Sequence, residues 1–64
     1  MEIESNNPAT SKYLRSLGDD KREFALDYLA WINGGRLGDM PSQGRLSLLT
    51  VRMIARTLDG LETP

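Results

Sequence analysis

The chain contains no cysteine and no histidine. The two side chains that most often staple a small domain, through disulfides or zinc, are therefore absent. A zinc site would have to be built from carboxylates alone, so neither a metal nor a cofactor is expected. The same two absences remove the commonest general base and the strongest nucleophile, which predicts a protein that is not an enzyme. Aromatic residues are sparse, with one Trp, one Phe and two Tyr. Neither sign of charge dominates: eight Lys and Arg stand against nine Asp and Glu, for a net charge of −1. Autonomous DNA-binding domains instead tend to be clearly basic.

Long hydrophobic runs are missing too, since crossing a bilayer takes ~20 consecutive apolar residues. The opening Met1-Glu2-Ile3-Glu4-Ser5 is acidic, where a secretory signal begins basic and turns apolar. A cytoplasmic protein with no membrane partner is expected. At 64 residues the chain makes one domain. A domain of that size buries only about 60% of its unfolded surface, so self-association or a partner would supplement its stability.

What is present reads as helix. Residues 1–7 carry no periodicity and are expected to form a flexible tail. Asn7-Pro8 is a helix start, an N-cap followed by proline at the first helical position. A short helix from Pro8 to Leu17 would carry Tyr13, Leu14 and Leu17, with Gly18 as its left-handed stop. Asp19-Asp20 then offers a second N-cap, with Glu23 spaced from Asp20 as in a capping box. Along this second helix Phe24, Ala25, Tyr28, Leu29, Trp31 and Ile32 share one side and Asp20, Glu23, Asp27 and Ala30 the other. Asn33-Gly34-Gly35 ends it.

A third helix, starting at Ser42 or Ser47 and running to Leu58, is apolar around most of its circumference and stops at Asp59-Gly60. A strand over Leu49 to Ile54 is the alternative, because short apolar runs are ambiguous by periodicity. The fold class is thus all-α: a three-helix domain over residues 8–60, either monomeric or dimeric, with residues 61–64 as a flexible C-terminal tail.

The glycine-rich connector from Asn33 to Arg45 raises the question of a phosphate cradle. Gly38 and Gly44 are followed by Arg45-Leu46, whereas a P-loop needs its second glycine followed by lysine and then serine or threonine. A looser anion site could use Arg36 and Arg45 beside the start of the third helix. The simpler reading is a hinge, with a turn at Asp39-Met40-Pro41-Ser42 and Leu37 or Met40 folded back onto the core.

Two surfaces remain as candidates. Phe24, Tyr28 and Trp31 recur at a spacing shared by core stripes and partner-binding stripes. Together with Leu48 and Val51 they are the candidate protein-interface residues. At 100° per residue, Arg45, Arg52 and Arg56 fall within about 40° of one another on the third helix, where they could contact nucleic acid or pair with Glu23 or Asp27. The segment from Leu46 to Leu58 resembles the recognition helix of helix-turn-helix proteins. That motif joins its helices by a turn of 3–4 residues, and the connector here is about nine or longer. The expectation is a small regulator, adaptor or inhibitor that binds another protein and could do so as a homodimer. The alternative is a dimeric DNA-binding regulator that uses its three arginines.

Overall fold

The computed structural model describes residues 7–62. It contains three helices, α1 (Pro8–Ser16), α2 (Asp19–Asn33) and α3 (Leu48–Glu62), and no strand among the described residues. The all-α expectation holds, and Leu49 to Ile54 lies inside α3. The expected N-terminal tail lies outside the described residues except for Asn7.

Asn7 starts α1: its Oδ1 accepts the Ala9 amide at 2.9 Å, and Pro8 occupies the first helical position. The junction with α2 differs from expectation. Gly18 is the N-cap of α2, with φ −67°, and its carbonyl already accepts the Arg22 amide at 2.8 Å. With only Leu17 and Gly18 between the helices there is no room for a left-handed stop. Asp19 and Asp20 consequently lie within the first turn of α2, no side-chain cap forms there, and their charges act on the helix dipole instead. Arg22 fastens the corner by donating to the Leu14 carbonyl from Nε at 3.1 Å and to the Leu17 carbonyl from Nη2 at 2.7 Å.

The other end of α2 is a Schellman motif. The Gly35 amide donates to Ile32 at 3.1 Å and the Arg36 amide to Trp31 at 3.0 Å, with Gly35 at φ 88°. An apolar contact usually bridges the residues at the outer bond. Here Arg36 lies over the Trp31 ring, 5.4 Å from its centroid.

α3 begins after Ser47, whose Oγ accepts the Thr50 amide at 3.2 Å. Ser42 instead accepts from the Gly44 amide at 3.2 Å, and the connector turns at Gln43, where the Leu46 amide reaches its carbonyl at 3.1 Å. The turn expected at Asp39 to Ser42 is therefore displaced. The stop expected at Asp59-Gly60 is overridden as well, and Leu61 and Glu62 belong to the helix rather than to a tail. Glycine inside a helix costs only about 1 kcal/mol, and α1 holds this last turn. Asn7 Nδ2 donates to the Leu61 carbonyl, and Thr10 Oγ1 donates to Glu62 Oε2 at 2.8 Å.

The core takes Leu14 from α1, Phe24, Ala25, Tyr28 and Leu29 from α2, and Val51, Ile54 and Leu58 from α3. Among the described residues the one buried polar residue is Thr10, satisfied by its bond to Glu62. Leu37 and Met40 do not fold back: they are 81% and 47% exposed. The connector runs outward through positive φ at Gly35, Arg36 and Gly38, and the space between the helices is filled without these two side chains. No helix among the described residues is long and apolar enough to cross a membrane.

Candidate functional site

The aromatic stripe of α2 turns inward. Phe24 and Tyr28 are 4% and 2% exposed, and Val51 opposite them on α3 is equally buried. The fold thus withdraws three of the interface candidates from its surface. Trp31 is half-buried, with its ring 5.7 Å from Tyr28 and its Nε1 donating to the Gly38 carbonyl at 3.3 Å. These residues belong to a polar fastener at one end of the bundle. Tyr28 donates its hydroxyl proton to Asp59 at 2.9 Å, and Arg36 Nη2 reaches the same carboxylate oxygen at 2.8 Å. Burial is the largest influence on the Tyr28 hydroxyl and pushes its pKa above the ordinary value, as does the adjacent Asp59 carboxylate. Arg36 is therefore committed to Trp31 and Asp59, and the anion site imagined for it at the start of α3 does not form.

The arginine stripe also divides. Arg45 sits in the connector turn, so only Arg52 and Arg56 project from α3. Both are exposed, and neither side chain makes a hydrogen bond or ion pair among the described residues. The pairing with Glu23 or Asp27 considered from sequence is not made within the chain.

Beside these arginines stands an apolar surface. Leu49 and Met53 are 69% and 60% exposed, and Leu48 is 55% exposed. At 100° per residue Leu49 and Met53 point roughly opposite Val51, Ile54 and Leu58, with Arg52 and Arg56 along one flank. Isolated exposed leucines are ordinary on a protein surface. Here a leucine and a methionine four residues apart form one ridge, lined by two guanidinium groups.

Comparison with protein-family models, with curated proteins and with solved structures finds no match.

A second feature lies on the far side of α2. Asp20, Glu23 and Asp27 line a shallow groove of about 220 Å³, together with buried Phe24, half-buried Leu46 and Arg45 of the connector. That volume is below the range typical of small-molecule sites. Among the described residues, the three carboxylates have no ion-pair partner, and no group of three or more acidic residues is arranged to hold a metal ion.

Of the residues singled out from sequence, only Leu48, Arg52 and Arg56 share the exposed side of α3. Leu49 and Met53, which build its centre, were not singled out. A signal for them existed: α3 is apolar around most of its circumference, and three short helices cannot cover every side of it.

Proposed function

We propose that the chain is a small, cytoplasmic, non-enzymatic module that binds another protein through the outer face of α3, acting as an adaptor, inhibitor or regulatory subunit. The observation that carries this reading is the exposed Leu49–Met53 ridge with two unpaired arginines beside it. Methionine and arginine are enriched at protein interfaces, and burying a leucine or methionine side chain contributes about 1.5–3 kcal/mol each. The favoured partner is an amphipathic segment with apolar residues at its centre and carboxylates at its edge. Its apolar residues would cover the ridge while Arg52 and Arg56 take the acids as charge-assisted hydrogen bonds.

DNA binding is less well supported. Two phosphate contacts would leave Leu49 and Met53 facing solvent, and Arg45 is no longer aligned with the other two arginines.

Selection from a random peptide display library tests the proposal. Enriched sequences should combine acidic with apolar residues, and their binding should be lost on Leu49→Asp or Met53→Asp. The reading is overturned if enriched peptides bind these variants as well as they bind the wild type. It is also overturned if the protein ignores peptides and binds a DNA duplex, with a log–log salt slope near −1.8 for two phosphates at about 0.9 each.

A further inference from the structure

We infer that the partner recognised by the outer face of α3 is a second copy of this chain, received on the acidic side of α2. This inference rests on the reading of that face as a docking surface and adds an occupant. The argument is charge complementarity joined to matching spacing. Arg52 and Arg56 lie four residues apart on one helix, and Glu23 and Asp27 lie four residues apart on another. At 1.5 Å per residue both pairs span about 6 Å along their helices, so two guanidinium groups can meet two carboxylates in one register. All four side chains are exposed, and none has an ion-pair partner among the described residues.

The apolar parts match as well. The ridge of Leu49 and Met53 stands beside the arginines, while the groove along Asp20, Glu23 and Asp27 is also lined by half-buried Leu46. Arg45, which also lines the groove, opposes the approach of a cationic helix, but three carboxylates outnumber it.

The net charge of −1 conceals a basic, apolar surface on α3 and an acidic one on α2. Because these two surfaces are different, the contact pairs unlike faces, and unless two copies close on each other with each α3 on the other's α2 it is heterologous. Each copy added leaves a free α3 face at one end and a free α2 face at the other, so association either closes into a ring or continues.

Sedimentation velocity on the purified full chain, across a wide concentration range, tests this. The wild type should gain mass with concentration and lose it as salt rises. Charge reversal on either surface, R52E/R56E or E23R/D27R, should weaken association about a hundredfold, because like charges are then brought together. An equimolar mixture of the two variants should recover the wild-type behaviour, since the acidic α3 of one meets the basic α2 of the other. The substituted residues are exposed, and helical circular dichroism checks that both variants fold.

A wild type that stays monomeric throughout overturns the inference, as does a mixture that fails to reassemble. Peptides selected on the wild-type protein separate this failure from failure of the underlying reading. If they bind E23R/D27R normally but not the Leu49 and Met53 variants, the α3 face is a docking surface whose partner is another protein. If they bind all of these variants alike, the α3 face itself is wrong.

Discussion

Arg36 adopts φ 59°, a left-handed conformation that costs a residue with a side chain about 1–2 kcal/mol. Three side-chain contacts hold it there, the Trp31 ring, the Asp59 carboxylate at 2.8 Å and the Tyr28 hydroxyl at 3.4 Å. Both members of that ion pair are about half exposed, so the pair contributes at most about 1 kcal/mol. Two substitutions separate backbone from side chain. Arg36→Ala loses the contacts and keeps the strain, whereas Arg36→Gly loses both, so thermal unfolding should find the glycine variant more stable by about 1 kcal/mol. Tyr28, which shares Asp59, gives the fastener a pH dependence. Its pKa is raised on folding above the ordinary 10.0, mainly by burial. The folded state therefore holds the phenolic proton more tightly than the unfolded chain, so this contribution is fully present below pH 10 and is lost as pH climbs through the raised value. Alkaline unfolding followed by circular dichroism should show Tyr28→Phe losing less stability over that range than the wild type. None of this network was legible in the sequence. Tyr28, Arg36 and Asp59 are brought together by the packing of α2 on α3, and no local pattern announces a contact between residues 28 and 59.

At the scale of single helices, legibility depended on whether the signal was local. The Asn7-Pro8 start of α1 needs only neighbouring residues and was readable, as was the glycine-rich end of α2. The start of α3 offered two serines with the same cap chemistry, and Ser47 is the one whose hydroxyl accepts the Thr50 amide. Ser47→Ala should therefore cost about 1 kcal/mol in chemical denaturation. Ser42→Ala, which removes only an exposed loop contact, should stay within about 0.5 kcal/mol of the wild type. The end of α3 was misread because glycine after aspartate resembles a stop, while the forces that carry the helix onward come from α1. Gly60 is exposed, lies inside the helix, and has open space where a Cβ would stand. Gly60→Ala should accordingly stabilise the protein by about 0.5–1 kcal/mol, since alanine loses less backbone entropy on entering a helix.

For the whole molecule, the decisive fact is how few residues close the bundle. The Cα radius of gyration is 10.9 Å, near the roughly 10–11 Å of a compact domain of this length. Of the eight buried apolar core residues among those described, α1 supplies only Leu14. Half-buried Tyr13 packs against that core, and the polar attachments of α1 reach the last turn of α3, through Asn7 to Leu61 and through Thr10 to Glu62. Sequence patterning anticipated that three helices would share a core, but not that the first and last turns would be bonded to each other, because polar pairs more than fifty positions apart leave no periodic trace. Truncation after Gly60 tests the importance of that closure. It removes the acceptors of both Asn7 and Thr10, and Thr10, fully buried, would keep a hydroxyl without a partner at a cost of about 1–3 kcal/mol. In a domain whose total stability is marginal that is a large share, and α1 should be the first part to detach. Hydrogen exchange should then show protection lost in Pro8–Ser16 before α2 and α3 change. Thr10→Val, which fills the same space without an unsatisfied hydroxyl, should recover most of the loss if the polar bond is the cause. Equal loss of protection in all three helices of the truncated chain would mean instead that α1 and the α2–α3 pair unfold as one unit.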